Sequence, residues 1–238
     1  MNDSSIPSIS SLKEELIRSM KREGVLKSSQ VEEAVRSVPR EEFLWPRTPK
    51  FTAYFDDPQP LGSTGQTISA PHMIVLMLEQ LELSSSMKVL EVGAGSGYSA
   101  ALIGHIVRRH DIKSKELPVI SIERDHELAE FARSNLRKVG ADDVVQVVEG
   151  DGSLGYPQQS EEEIYDRIVV AAGAPRVPIY LRKQLKVGGI MEIPLGGTSY
   201  QKLTKIRKEV GKSGRPEFET KEIVECTFVP LVGEDAHS

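Results

Sequence analysis

The sequence predicts an α/β protein with a doubly wound, mostly parallel sheet, flanked by N-terminal helices and closed by a C-terminal antiparallel hairpin. Three observations carry this. From Ser69 onward, short apolar runs alternate with amphipathic helical runs, the pattern of a parallel sheet with crossover helices. Some of the apolar runs, such as Ile168–Ala172, are almost wholly hydrophobic, as strands covered on both faces are. One of them leads straight into a glycine-rich turn that opens a helix.

The elements follow in order. The first nine residues are polar and are expected to be loose. Ser11 and Glu14 make a capping-box pattern for a helix carrying Leu12, Leu16, Ile17 and Met20 on one face and ending at Gly24. Ser29 and Glu32 repeat it for a second helix with Val31, Ala34, Val35 and Val38, stopped by Pro39. Residues 43–68 mix Phe43, Trp45, Phe51, Tyr54 and Phe55 with prolines and glycines. Such punctuation predicts irregular structure, and the aromatics predict that it packs onto the core. A helix is expected over 71–81, with Pro71 in its first turn.

Strands are then expected at 88–92, 118–122, 144–148, 167–171 and 190–195. Helices between them run over 96–109, from the N-cap Asp125 to Gly140, and over 179–186. The hairpin is expected to pair 202–210 with 219–229. The chain divides into a helical and irregular front, 1–80, packed on a core, 81–238.

Composition bounds the function. The chain has 238 residues, enough for a real core without covalent staples. A net charge of −5 speaks against non-specific nucleic-acid binding. The longest apolar run, Met73–Leu78, is far short of the roughly 20 residues that span a bilayer. The N-terminus lacks the pattern of a secretory leader. The one cysteine, Cys226, fits a reducing compartment and is expected to pack in an apolar strand. These features predict a cytoplasmic protein. The five histidines show no metal-ligand spacing, since His105 and His110 fall off a common helical face, and no metal is expected. The basic residues Lys202, Lys205, Arg207, Lys208, Lys212 and Arg215 are read as a solvated hairpin face, without the interleaved aromatics of a nucleic-acid groove.

Three strand ends carry acids beside glycines. The first is Glu91-Val-Gly93-Ala94-Gly95-Ser96-Gly97-Tyr98. Its G-x-G-x-G spacing ends in tyrosine where a dinucleotide fingerprint has glycine, and its leading glutamate suits a cation better than a phosphate. Glu123 follows the next strand and can accept ribose hydroxyls. Asp151-Gly152 follows the third and can meet an adenine edge. Together they fit a nucleoside with a positively charged tail. Ser69 offers a hydroxyl at the start of the Pro71 helix, where the positive end of the dipole attracts a carboxylate, or serves only as its cap.

The three acidic strand ends resemble class I S-adenosylmethionine-dependent methyltransferases, whose sheet is Rossmann-like. More specifically, the run Gly65–Met73, GQTISAPHM, resembles the signature of the protein-L-isoaspartate O-methyltransferase family. The likeness continues through VLEVGAGSGYSAALI, Val148–Pro157, YDRIVVAAGAP, LKVGGIMEIPLG and FVPL at Phe228–Leu231. It spans roughly Val31 to Leu231, and departs from the family's pattern in a longer polar connection at 108–117.

That resemblance implies methyl transfer from S-adenosyl-L-methionine to the α-carboxyl of L-isoaspartyl residues, leaving S-adenosyl-L-homocysteine and starting the repair of damaged proteins. The partners would be isoaspartyl proteins and peptides, with no nucleic acid and no membrane; the oligomeric state is open. Ser69 would orient the carboxylate. Thr67, Ile68, His72, Glu91, Gly93, Ala94, Gly95, Ser96, Glu123, Arg124, Asp151, Gly152 and Gln201 would hold the cofactor, and Ser69, Ala70, Val229, Pro230 and Leu231 the peptide. A carboxylate nucleophile is already ionised at neutral pH, so no general base is needed. The competing readings are another class I methyltransferase acting on RNA or a small molecule, a nicotinamide oxidoreductase, and a non-catalytic adaptor.

Overall fold

The computed structural model describes residues 7–108 and 117–237. Residues 109–116, most of the long polar connection and including His110, lie outside the described residues, as do residues 1–6 of the start expected to be loose.

Helix α1 (Ile9–Arg22) starts earlier than its capping box predicts: Ser8, not Ser11, is the cap, and its hydroxyl accepts the Ser11 amide at 3.1 Å. Helix α2 (Ser29–Ser37) is likewise capped one residue early, by Ser28, which accepts the Val31 amide. The glutamates of the two expected boxes are used elsewhere. Arg36 pairs with Glu14 and, at 2.8 Å, with Glu32, tying the two helices together.

The segment before the sheet is less irregular than its prolines predict. It holds short 3-10 turns at Arg40–Glu42 and Lys50–Tyr54 and an antiparallel ladder of β1 (Gln59–Pro60) with β2 (Thr67–Ile68). Its aromatics anchor it: Phe43 meets Tyr98 edge-on at 5.4 Å, and Trp45 packs on Phe131 at 4.8 Å. Gly62 lets the chain pass over Trp45, where a Cβ would stand 2.7 Å from the indole.

Helix α3 (Pro71–Leu81) leads into β3 (Val89–Val92), α4 (Tyr98–Val107), β4 (Val119–Glu123), α5 (His126–Val139) and β5 (Val145–Glu149). The chain then crosses to the other side of β3 for β6 (Tyr165–Val170), α6 (Ile179–Gln184) and β7 (Leu185–Gly196), and ends in the hairpin β8 (Gln201–Val210) and β9 (Pro216–Cys226). Strand order is β5-β4-β3-β6-β7-β8-β9, parallel from β5 to β7 and antiparallel at β8. The order reverses at β3, so the crevice beyond its carboxyl end is the place for a ligand.

Alternate strand residues feed two cores. Val89, Val119, Val169 and Ile190 join α1 to α5 in a cluster that extends from Leu16 to Phe228, so residues of the front and of the sheet share it. Leu90, Val92, Ile120, Ile168 and Val170 face α6 and the C-terminal stretch. Helices therefore cover the faces unequally.

Two boundaries move. Strand β7 starts at Leu185 and runs through Gly188-Gly189, where its pairing with β6 skips from Tyr165↔Leu185 to Arg167↔Ile190. A bulge absorbs the glycines, which local pattern reads as a turn. Strand β9 stops at Cys226, leaving Val229–Leu231 beyond it. The basic hairpin face is not a freely solvated one. Lys208 is buried, donating to the Leu185 carbonyl at 2.6 Å and pairing with Glu163, while Lys205 and Arg207 both pair with Glu82. Cys226 is a buried free thiol whose pKa burial raises, as a packing residue.

Candidate active site

A cavity of about 600 Å³ opens beyond the carboxyl ends of β3, β4 and β6, within the usual range for small-molecule sites. Three groups of residues enclose it. Gly93–Ser96, Tyr98, Glu123, Arg124 and Gly152 form the sheet side. Thr67–Ala70 and His72 come from β2 and the start of α3. Thr227–Val232 close it from the C-terminal stretch. The structure thus brings together Thr67, Ile68, Ser69, Ala70, His72, Gly93, Ala94, Gly95, Ser96, Glu123, Arg124, Gly152, Val229, Pro230 and Leu231.

The glycine turn is shaped by backbone need. Gly93, Gly95 and Gly97 all have positive φ, at 95°, 52° and 86°, conformations that L-residues with side chains rarely adopt. Gly97 itself gives α4 no side-chain cap; the Ser96 hydroxyl accepts the Tyr98 amide at 3.3 Å, and the helix start still offers the partial positive charge that attracts an anionic group. Two hydrogen bonds from Gly93 and Ala94 to the Ile122 carbonyl latch the turn to β4. The Glu123 carboxylate binds the turn directly. It accepts the Gly95 amide on one oxygen and the Arg124 and Asp125 amides on the other. Four lone-pair sites serve a carboxylate, so acceptor capacity is left for a hydroxyl. Gly152 closes the floor: a Cβ there would fall 2.4 Å from Val92.

Glu91, Asp151 and Gln201 do not line the cavity. Glu91 is fully buried beneath the turn, and its Oε2 accepts the Ser121 hydroxyl. Burial chiefly pushes its pKa up to about 7; hydrogen bonds from Ser121 and Ser99 oppose this, and the Glu123 charge adds to it. Asp151 turns away to accept the Ser153 amide and hydroxyl and, at 2.8 Å, the Glu234 amide. Gln201 is fully buried, accepting the Phe228 amide at 2.8 Å and donating to the Gly197 carbonyl. In the structure these two side chains bind backbone groups of the C-terminal stretch.

Ser69 is half-buried, and it is not the cap of α3. The capping position belongs to Ala70, and the helix has no side-chain cap, so the serine hydroxyl is not spent on the helix. The Ser69 carbonyl accepts from Arg40 at 2.9 Å. Beside it, Asp56 accepts both the backbone amide and Nδ1 of His72, at 2.9 and 3.0 Å. The wall of Val229–Leu231 is held by a bridge to Gly173, which donates to Val229 and accepts from Leu231. Sequence reading missed Arg40, Asp56 and Tyr98. Asp56 lies 16 residues from the amide it binds, and no local pattern joins them. Arg40 offered one signal, a lone arginine directly after the proline that ends α2.

The family model for protein-L-isoaspartate(D-aspartate) O-methyltransferase matches residues 10–236. A protein-L-isoaspartate O-methyltransferase of Staphylothermus marinus is 45% identical over 215 residues, 90% of this chain and 91% of its own. That of Hyperthermus butylicus is 47% identical, over 92% of this chain and 88% of its own. A solved protein-L-isoaspartate O-methyltransferase superposes with a TM-score of 0.79 at 30% identity, over 94% of this chain and 67% of its own. A Plasmodium falciparum structure, described as a putative enzyme of this kind in complex with S-adenosyl-L-homocysteine, gives 0.77 at 25% identity, over 92% of this chain and 98% of its own. The chain belongs to the protein-L-isoaspartate(D-aspartate) O-methyltransferase family.

Proposed function

We propose that the protein methylates the α-carboxyl of L-isoaspartyl residues in damaged proteins, with S-adenosyl-L-methionine as donor. The observation that carries this reading is one cavity with two unlike walls. Glu123 and the glycine turn stand on one side, and Ser69, at the start of an α-helix without a side-chain cap, on the other.

The residues present fit the cofactor. The positive-φ glycines and Gly152 keep the floor free of side chains, and Glu123 retains acceptor capacity for a sugar hydroxyl. When bound, that group supplies a methyl already activated by its sulfonium. The protein's own work is then positioning and exclusion of water. The Ser69 hydroxyl donates to the incoming carboxylate, and the first turn of α3 favours its negative charge. Ser69 is no covalent nucleophile, because no base adjoins it in the hydrogen-bond pattern of the described residues. Val229–Leu231 accept the peptide backbone, so that varied neighbours of the damaged residue are tolerated. The front of the chain, 1–80, supplies the substrate-side Ser69, and the sheet supplies the cofactor-side acids.

Among the described residues, no helix is long and apolar enough to cross a membrane. Composition supports a cytoplasmic location, and Lys205, Arg207 and Lys208 of β8 are each paired with an acid. The test compares an isoaspartyl peptide with its aspartyl isomer, using labelled S-adenosyl-L-methionine. A base-labile ester forms on the first alone; equal or absent labelling of both refutes the reading.

A further inference from the structure

We propose that Arg40 is a positioning residue for the substrate carboxylate: its buried guanidinium fixes the Ser69 segment and is the counter-charge behind the carboxylate's seat. The inference rests on the carboxyl-methylation reading above.

Arg40 is only 1% exposed. One nitrogen, Nη2, donates to the Ser69 carbonyl at 2.9 Å. The guanidinium lies over the Tyr98 ring, 5.0 Å from its centre, and Tyr98 both opens α4 and lines the cavity. One side chain therefore joins the segment bearing the candidate carboxylate donor to the helix that follows the glycine turn. Such a contact sets the distance between the two walls, which is what in-line transfer demands.

The rest of the group is unsatisfied. Nε and Nη1 are buried and have no hydrogen-bond partner. Among the described residues, Arg40 forms no ion pair. The carboxylate whose charge reaches it, Asp56, makes no ion pair with it and is hydrogen-bonded to His72. An arginine does not shed its proton in a protein; burial makes the charge more costly, and Tyr98, Asp56 and Tyr54 offset this only in part. A buried cation with no carboxylate in contact with it is rare and asks for an explanation. Here the missing anion is the substrate's own carboxylate, arriving at Ser69, whose carbonyl Arg40 already grips. A unit charge behind a low-dielectric wall shifts anion affinity by about tenfold or more. Aspartyl and isoaspartyl side chains both carry carboxylates, so this field favours binding, while shape at Ser69 chooses between them.

The test separates charge from shape. Two peptides are used: an isoaspartyl peptide, and its analogue with the α-carboxyl replaced by a carboxamide. Wild-type enzyme, saturated with S-adenosyl-L-homocysteine, binds the carboxylate peptide at least about tenfold more tightly than the carboxamide. R40K keeps the charge and R40Q removes it; thermal midpoints and S-adenosyl-L-homocysteine affinity are recorded for both. R40Q raises KM for the carboxylate peptide about tenfold above R40K, while the two variants bind the carboxamide within about twofold of each other. Equal affinity of wild type for the two peptides overturns the proposal, and this arm needs no variant to fold. So does an R40Q loss of equal size on both peptides, which marks a merely structural residue. Wild-type enzyme that methylates neither an isoaspartyl nor an aspartyl peptide sinks the parent reading and this one together. Wild-type methylation with indifferent Arg40 variants sinks this one alone.

Discussion

The Glu123 carboxylate accepts the Gly95 amide at 2.9 Å, so the acid at the end of β4 holds the glycine turn at the end of β3. Its other oxygen accepts two further amides. A ligand that used Glu123 would thus find it already aimed. Hydrogen bonds to a charged group contribute about 1.5–3 kcal/mol each. Glu123→Ala is expected to weaken S-adenosyl-L-homocysteine binding about 10–100-fold, read by calorimetric titration. Undiminished affinity would remove Glu123 from the cofactor site.

Ser69 presents the opposite wall, and its hydroxyl is free of capping duty. Ser69→Ala removes one hydrogen bond to a carboxylate, worth about 1.5–3 kcal/mol, or roughly 10–100-fold in kcat/KM. Cofactor affinity should stay within about twofold. A variant that turns over isoaspartyl peptide like wild type would show that the serine does not orient the substrate.

The residues that sequence reading placed well are those whose job is local. Gly140 ends α5 with φ 65°, and Asp125 caps that helix by accepting the Leu128 amide; both are dictated within four residues of chain. The glycine turn is equally local. The misplaced features depend on partners distant in sequence. Glu14, expected in a capping box, is instead drawn to Arg36 on the next helix. The strand at Gly188-Gly189 exists because β6 pairs on either side of them. Lys208 and Arg40 look like surface cations until the fold buries them. Asp151 is the clearest case at the site: the residue type and strand end read as an adenine contact, but the amide of Glu234 lies within its reach. Nothing in the sequence around Asp151 announces a neighbour 83 residues away.

Gln201 ties the base of the C-terminal wall, through the Phe228 amide and the Gly197 carbonyl. Its side chain also fills the space beside Gly173, where a Cβ would meet it at 2.9 Å, and Gly173 is the residue that Val229 and Leu231 bridge. Gln201→Ala leaves the buried Phe228 amide without its acceptor, costing about 1–3 kcal/mol, while the exposed Gly197 carbonyl turns to water. The thermal midpoint should drop by about 5–10 °C. KM for isoaspartyl peptide should rise severalfold with S-adenosyl-L-homocysteine affinity nearly unchanged. A selective loss of cofactor affinity would instead restore the glutamine to the cofactor side.

Glu192 on β7 gives the protein a pH-dependent weakness away from the cavity. It is fully buried, and neither carboxyl oxygen has a partner. Its cross-strand neighbour, Lys205, turns instead to Glu82 at 2.8 Å. Burial pushes the Glu192 pKa up to about 8; the Lys205 charge opposes this and the Glu82 charge reinforces it. The folded state therefore holds this proton more tightly than the unfolded chain, whose glutamate titrates near 4.3. Below about pH 4 both states are protonated and the group is silent. From there to about pH 8 the unfolded state ionises first, so stability falls as pH rises, by about 1.4 kcal/mol per unit of pKa difference. Above about pH 8 the loss levels off, at a few kcal/mol. Glu192→Gln keeps the shape and cannot ionise, leaving only an offset that does not vary with pH. The midpoint of the variant relative to wild type should therefore climb by about 5–10 °C between pH 5 and pH 9. A constant difference over that range would mean that Glu192 is ionised in the folded protein, with Lys205 swung back to meet it.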